Sequence, residues 1–352
     1  MDMLRRSGEP RIRLVPDARL AWIKHLGRAI AGLAILVFGV LGTRAATSEP
    51  TASSIRIDEP LYFSHGRFVV AVAVGEQVRE LSSGRADFKP VSNPRGDKLV
   101  FFRVDTFGDG KFETWRTAIV VVNADGTDER RLTSGRFSDY NPTFMRDGSD
   151  RIVFNRYNRS GRGHSEIFMT TPQSHPGDEI RISHPTIRAY EWVYSTLRDG
   201  RLFVHRIESE DREAYLLTPN PGGTGKYERL RMPTNSYFHK LSVSPSETKV
   251  AYMIDNDQDG STYEDAQIAW AEFDVDQLRV ENEQRITPFS PETIEEYPKW
   301  SRDESLILYD SNRGGRDVYQ VYAYRIADGV EANISPNHRE SFQFPTLGGL
   351  PK

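Results

Sequence analysis

The amino-acid sequence repeats itself from residue 67 to the C-terminus with a period of about 50 residues. The clearest marker of each unit is a short ending in which an apolar residue stands beside polar ones, as in residues 130–133 (RRLT) and 284–287 (QRIT). The apolar residue of this ending occupies positions 81, 132, 182, 230, 286 and 334, at intervals of 48 to 56 residues. Such a period is typical of a solenoid, a propeller or another repeat array.

The interior of the second unit distinguishes between these architectures. It contains four strand-like segments, at residues 139–144, 151–154, 166–170 and 179–182. The first two are joined by an Asp-Gly pair, which is typical of a β-hairpin because glycine adopts positive φ without a steric penalty. Four antiparallel strands per unit correspond to one propeller blade. No segment after residue 60 shows the apolar period of a long helix, so helices should be scarce.

The two ends of the repeat region complement each other. Residues 61–82 supply strands and an ending without an inner strand before them, whereas residues 341–352 repeat the inner-strand pattern with little after it. One half-unit therefore completes the other, which closes the ring and covers exposed strand edges. The sequence predicts an all-β fold over residues 61–352: a six-bladed β-propeller of four-stranded antiparallel blades, closed by one blade shared between the N- and C-terminal strands.

The N-terminal segment indicates export. A lead rich in arginine and lysine precedes residues 29–43 (AIAGLAILVFGVLGT), which carry no charge. This run is short for a spanning helix and suits the apolar region of a signal peptide, and small residues at 43 and 45 provide a cleavage site before Ala46. We predict a signal peptide or an N-terminal membrane anchor at residues 1–45 and a linker at 46–60. In either case the rest of the chain is expected in the periplasm or outside the cell.

Composition excludes several classes of function. The formal net charge is −4, so no general attraction to nucleic acid is expected. The absence of cysteine excludes disulfides, thiolate zinc sites and a cysteine nucleophile. We expect a monomer whose only membrane contact is the N-terminal segment, if that segment is not cleaved.

Three motifs give the chain a family resemblance. Residues 139–148 (DYNPTFMRDG) with 152–154 (IVF), residues 296–303 (EYPKWSRD), and Asp125-Gly126 followed by residues 130–133 resemble the TolB-type propeller repeat. The resemblance covers residues 61–352 and implies the six-bladed fold. It differs from TolB in that only residues 46–60 separate the predicted cleavage site from the first strand, where TolB carries an α/β domain. The peptidases that combine a propeller with a hydrolase domain are not supported, because the chain has no Gly-x-Ser-x-Gly elbow.

An acidic loop in the fourth unit is a candidate calcium site. Asp255, Asp257 and Asp259 alternate before Gly260, and Glu264 or Asp265 could supply a later ligand. Carboxylates at alternate positions before a glycine can surround Ca²⁺. The competing interpretation is a solvated acidic hairpin. A related loop in the first unit carries Asp105, Asp109 and Glu113. If calcium binds, we expect it to brace the loop.

The loops that precede the inner strands form a second candidate site, because in propellers such loops gather around one mouth of the central channel. These loops carry Arg85, Arg136, Arg188 and Arg339. Four arginines near one opening would favour a carboxylate or an acidic peptide segment. The alternative is that they pair with neighbouring carboxylates, namely Asp87, Asp139, Glu296 and Glu340.

Two functions remain open from the sequence. The first is a non-enzymatic scaffold of the cell envelope that binds an acidic protein or peptide and is stabilised by calcium. The second is a carbohydrate-active enzyme, a lyase or hydrolase of acidic oligosaccharides, as in oligogalacturonate lyase, which resembles this fold and uses histidine-bound metal. The candidate histidines are His184, His205, His239 and His338, but they show no metal-binding spacing. Trp192, Trp270 and Trp300 are expected in the core.

Overall fold

The computed structural model describes most of the chain from residue 59 to residue 348 as strands and turns. The described residues are 55, 57, 59–65, 69–74, 77–84, 86–108, 114–158, 164–183, 189–208, 211–233, 237–255, 266–315, 318–337 and 340–348. They form twenty-four strands in six four-stranded sheets, and every pairing between neighbouring strands of a sheet is antiparallel. The predicted six-bladed propeller is confirmed. No α-helix occurs among these residues, and none of them forms a helix long and apolar enough to cross a membrane.

Each blade is one sheet whose strands follow one another along the chain. The first three strands of the propeller are β1 (Leu61–His65), β2 (Val69–Val74) and β3 (Gln77–Glu80), which belong to the sixth blade. Blade one contains β4 (Asp87–Ser92), β5 (Lys98–Thr106), β6 (Arg116–Asn123) and β7 (Arg130–Arg131). Blade two contains β8 (Ser138–Phe144), β9 (Ile152–Asn158), β10 (His164–Thr170) and β11 (Ile180–Arg181). Blade three contains β12 (Tyr190–Thr196), β13 (Leu202–Glu208), β14 (Asp211–Thr218) and β15 (Lys226–Arg229). Blade four contains β16 (Tyr237–Val243), β17 (Lys249–Asp255), β18 (Gln267–Asp274) and β19 (Arg279–Arg285). Blade five contains β20 (Glu295–Trp300), β21 (Leu306–Ser311), β22 (Gln320–Arg325) and β23 (Glu331–Asn333).

The sixth blade joins the two ends of the propeller. The last strand, β24 (Phe342–Leu347), pairs antiparallel with β1, with Leu61 opposite Leu347 and His65 opposite Phe342. The sheet order is β24-β1-β2-β3. The fully buried ring of Phe342 meets the ring of Phe63 edge to face, with their centroids 4.9 Å apart. The predicted sharing of one blade is therefore confirmed, and apolar packing holds the closure together.

The repeated ending has a structural cause. Leu132 is fully buried, and the Thr133 hydroxyl accepts a hydrogen bond from the amide of Ile119 in β6, at 3.0 Å. The same bond recurs in four other blades, made by Ser82 to Val70, Ser183 to Ile167, Thr287 to Ile268 and Ser335 to Val321. A short hydroxyl side chain thus supplies the acceptor that the amide needs where the outer strand ends.

Every blade carries a bulge at the contact between its inner strand and the next strand. In five of the six, a non-glycine residue of the inner strand adopts positive φ, between 50° and 58°; these residues are Lys89, Asn141, Lys240, Tyr297 and Phe344. In blade three the register shifts between Val193 and Ser195. A bulge changes the alternation of side chains along a strand. All five positive-φ residues line the central channel.

The predicted core tryptophans lie between sheets. Trp270 and Trp300 are buried, with ring centroids 6.5 Å apart, and the Trp300 indole donates to the backbone carbonyl of Ser242 at 3.1 Å. Trp192 is half-buried against the core cluster shared by blades one and two. The expectation of a core position is confirmed for Trp270 and Trp300, whereas Trp192 packs against the core and is only partly buried.

Candidate binding site in the central channel

The six inner strands, β4, β8, β12, β16, β20 and β24, enclose a narrow cavity of about 50 Å³. All six blades contribute to its wall. The lining residues are Lys89, Pro90, Val91, Asn141, Pro142, Thr143, Val193, Tyr194, Lys240, Leu241, Tyr297, Lys299, Phe344 and Pro345. Three of these side chains are lysines, so the channel wall is cationic.

Two of the lysines are held by neighbours in the wall. Lys89 donates to the side-chain oxygen of Asn141 at 2.7 Å, and its ammonium lies 4.4 Å from the centre of the Tyr297 ring. The ammonium of Lys240 lies 4.3 Å from the same ring and forms an ion pair with Glu296. The tyrosine ring attracts both cations through its electron-rich face. Burial and the charge of Lys240 hold the pKa of Lys89 well below its ordinary value.

A buried carboxyl lies close to this pair. Asp310 stands opposite Glu296 in the sheet register and accepts a hydrogen bond from the amide of Phe344 at 3.0 Å. Burial, followed by repulsion from Glu296, raises the pKa of Asp310 well above its ordinary value. Two lysines, Lys89 and Lys240, and two acids, Glu296 and Asp310, therefore interact electrostatically at the narrow part of the channel.

At the end where the inner strands finish, the channel widens into a cavity of about 420 Å³. Its wall carries four cationic side chains, Arg146, Arg198, Lys299 and Arg302, and one carboxylate, Glu59. Burial raises the pKa of the Glu59 carboxyl, and this effect outweighs the attraction of Arg302, which lowers the pKa. We call this the wide mouth. Its charge balance favours an anionic group.

The arginines of the wide mouth donate to backbone carbonyls, and Arg146 also lies 3.9 Å from the carboxylate of Glu247. Arg146, from blade two, donates to the carbonyls of Ser244 at 3.0 Å and Pro245 at 2.7 Å, both in blade four. Arg198 also donates to the Pro245 carbonyl, at 2.6 Å. Arg302, from blade five, donates to the carbonyl of Pro94 in blade one at 2.8 Å. Arg146 and Arg302 each bypass one blade, so they span the edge of the opening.

Lys299 stands where the two cavities meet, since it lines both of them. Among the residues that the structure describes, its ammonium has no hydrogen-bond acceptor and no ion-pair partner. Burial lowers the pKa of Lys299 to about 8. A partly dehydrated cation without an anion beside it is a costly arrangement.

The architecture is similar to that of several known structures. It is similar to TolB from Acinetobacter baumannii, with a TM-score of 0.60 at 15% sequence identity, over 85% of this chain and 69% of that one. The putative TolB from Agrobacterium tumefaciens gives a TM-score of 0.51 at 14% identity, over 84% and 99% of the two chains. The fold is that of a TolB-like propeller.

A third similar structure shows how widely this architecture is used. Kuenenia stuttgartiensis hydrazine synthase matches with a TM-score of 0.58 at 11% identity, over 83% of this chain. The chain spans about half of that protein, since the match covers 47% of it. No protein-family model and no curated protein sequence matches the chain. At such identities the likeness shows the fold alone.

Of the four arginines predicted from sequence, only Arg136 can be placed, and it lies at the start of an inner strand, opposite the wide mouth. Arg136 is exposed in the loop before β8, and Arg85, Arg188 and Arg339 lie outside the described residues. The carboxylates considered as their partners bind other groups: Asp87 binds Arg103 at 2.7 Å, Asp139 binds Arg156 at 2.6 Å, Glu340 binds His65 at 2.6 Å, and Glu296 binds Lys240. These pairings brace the start of the inner strands.

The arginines of the wide mouth were missed in the sequence although a signal for them exists. In the turn after the inner strand, two units carry proline, Pro94 and Pro245, where three others carry Arg146, Arg198 and Arg302. Three arginines at one repeat position indicate a shared place around the channel.

Of the predicted calcium ligands, only Asp255 lies among the described residues. It ends β17 with its side chain fully buried. Asp257, Asp259, Glu264 and Asp265 lie outside the described residues, as do Asp109 and Glu113 of the related loop, whereas Asp105 pairs with Arg131. Within the described part of the chain, no three His, Cys, Asp or Glu side chains are grouped to hold a metal ion.

The histidines considered for a metal enzyme have different surroundings. His205 is fully buried, with its ring centroid 4.8 Å from that of Phe238 and 5.0 Å from that of His239. His184 and His338 lie outside the described residues. The aromatic neighbours of His205 give it a packing role in the core between blades three and four.

Proposed function

We propose that this protein is an exported, non-enzymatic scaffold of the cell envelope that binds an acidic segment of a protein or peptide at the wide mouth. The observation that carries the proposal is the cluster of four cations, Arg146, Arg198, Lys299 and Arg302, around a cavity that holds one carboxylate. The apolar segment at residues 29–43 supports export to the periplasm or beyond. The TolB-like fold is compatible with such a scaffold.

The arginine contacts suit an exchangeable anion site. Arg198 and Arg302 are exposed and donate to neutral backbone carbonyls. A carboxylate is a stronger acceptor for a guanidinium than a carbonyl and can engage two N–H groups at once. An acidic segment entering the cavity therefore offers these side chains a better partner than the backbone does.

Immobilised purified protein would be incubated with a pool of randomised, N-acetylated hexapeptides that carry free C-termini. We expect the retained peptides to be enriched in Asp and Glu, and the enrichment to weaken as salt is added. The double variant Arg198→Gln with Arg302→Gln should lose most of the enrichment in Asp and Glu. The control variant, Arg130→Gln with Arg229→Gln, removes two exposed arginines from outer strands and should keep this enrichment. Retained peptides with the composition of the input pool would refute the proposal.

We also propose that the loop at residues 255–265 binds Ca²⁺ through the predicted carboxylates. What supports it is the alternation of Asp255, Asp257 and Asp259 before Gly260. Calcium should raise the melting temperature relative to a chelator, because a ligand that binds only the folded state stabilises it. The double variant Asp257→Asn with Asp259→Asn should lose the difference. Equal melting temperatures of the unaltered protein in calcium and in chelator would reject the site.

A further inference from the structure

The two cavities of the channel form a funnel. Lys299, Val91, Thr143 and Tyr194 line both the wide mouth and the narrow part, so the two spaces adjoin. The cavity volume falls from about 420 Å³ to about 50 Å³ along the channel. The smaller volume has room for a few atoms of the size of water. A short peptide segment fits the first space, and only a small group fits the second.

The narrow part is lined by packed rings and lysines. The Tyr297 and Phe344 rings meet edge to face with their centroids 4.5 Å apart, and the ammonium groups of Lys89 and Lys240 lie on the tyrosine. A free volume of about 50 Å³ is too small to hold a peptide segment. Whatever reaches Lys299 from the wide mouth must therefore end there or turn back.

The positive charge of Lys299 determines which chemical group can bind where the two cavities meet. Lys89 and Lys240 have acceptors in the wall, whereas Lys299 has none among the described residues. The cation lies at the base of the wide mouth, in reach of a group that arrives through that opening. Burial without an anion lowers the pKa of its ammonium, which an arriving carboxylate would reverse.

We infer that Lys299 binds the C-terminal carboxylate of the acidic segment, so that the partner enters the funnel by its chain end. This inference rests on the proposed function. A chain end satisfies the geometry because the carboxylate occupies the small space while the preceding residues leave through the wide mouth past Arg198 and Arg302. Capture of a terminal carboxylate is an established mode of peptide recognition. An internal Asp or Glu side chain would instead require the chain to enter and leave by the same opening.

The test compares two pools of randomised, N-acetylated hexapeptides that differ only at the C-terminus, which is a free carboxylate in one and an amide in the other. We expect the protein to retain the free-acid pool about tenfold more strongly, as the loss of a hydrogen bond to a charged group implies. Lys299→Met should abolish the preference, and Lys299→Arg should restore part of it. Lys226→Met, at an exposed lysine of an outer strand, is the matched control.

Each outcome decides a different claim. Equal retention of both pools, with acidic peptides enriched in each, would overturn the inference and leave the proposed function standing. A preference for free acids that persists in Lys299→Met would remove Lys299 from the site. Failure to retain acidic peptides from the free-acid pool would refute the proposed function, and the inference with it. Cooperative unfolding of each variant would confirm that it is folded.

Discussion

At the scale of single residues, the channel buries cations in unequal surroundings. The ammonium of Lys89 has an amide oxygen and an aromatic ring beside it, and that of Lys240 has a carboxylate and the same ring. Lys299 has no such partner in the part of the chain that the structure describes. Dehydrating an ammonium group without compensation opposes folding. In the free protein the dehydrated ammonium of Lys299 therefore makes an unfavourable contribution to the free energy of folding, and a bound carboxylate would remove this contribution.

This cost predicts the effect of Lys299→Met on stability. The folded pKa is about 8, below the ordinary value of 10.5, so between these values the unfolded chain binds more protons than the folded one. The unfavourable contribution is therefore complete below pH 8 and shrinks as pH rises toward 10.5. At pH 7 we expect the variant to be more stable than the unaltered protein, by about 1–3 kcal/mol. The difference should narrow at pH 9.5, as measured by denaturant unfolding at both values.

Lys226→Met serves as the reference because Lys226 is exposed. Its effect on the free energy of unfolding should be close to zero at pH 7. If Lys299→Met proved less stable than the unaltered protein at pH 7, a counterion would have to lie beside Lys299.

At the scale of elements, the hydroxyl of the repeated ending gives five of the six blades the same hydrogen bond where the outer strand ends. Replacing Thr133 with valine retains the shape and removes the acceptor for the buried amide of Ile119. We expect a loss of about 1–3 kcal/mol in the free energy of unfolding, since an unsatisfied buried donor carries its full dehydration penalty. The control is Thr218→Val, an exposed position in β14. Equal effects of the two substitutions would show that the hydroxyl of Thr133 is dispensable.

The inner-strand bulge allows a second prediction at this scale. Asn141 adopts a φ of 50°, a region that glycine enters easily and alanine does not. Both Asn141→Gly and Asn141→Ala remove the contact with Lys89. The difference between their free energies of unfolding therefore reports the backbone conformation alone. The glycine variant should be the more stable, by about 1 kcal/mol in denaturant unfolding. A more stable alanine variant would contradict the left-handed conformation at this bulge.

At the scale of the whole molecule, closure depends on one strand from the far end of the chain. Deleting residues 341–352 removes β24, which exposes the edge of β1 and the apolar surface around Phe63. An unpaired edge beside exposed apolar surface promotes association. We expect the truncated chain to aggregate or to unfold at a much lower temperature, as seen by light scattering after size-exclusion chromatography. Deleting only residues 349–352 keeps β24 and should leave a stable, soluble particle.

The sequence predicted arginines at a channel mouth but placed them at the opposite end of the inner strands from the wide mouth. The prediction that arginines gather at a channel mouth relied on loops before the inner strands, whereas the wide mouth is formed by the turns after them. Repeat position alone places Arg146, Arg198 and Arg302 around one end of the channel. It does not tell how wide the channel is at that end, because the width depends on how far six separate strands stand apart.

The sequence by itself determined the all-β class, the four-stranded blade, the number of blades and their closure, because each follows from local periodicity repeated at a fixed interval. Only the tertiary structure decided which side chains face the channel. Lys89, Lys240 and Lys299 stand on inner strands whose alternation is shifted by a bulge, so simple alternation misplaces side chains beyond it. The funnel and the cation at its base arise from six such strands meeting. Residues about 50 positions apart become neighbours when adjacent blades pack, as Lys89 and Asn141 do, whereas Lys89 meets Tyr297 only when the ring closes.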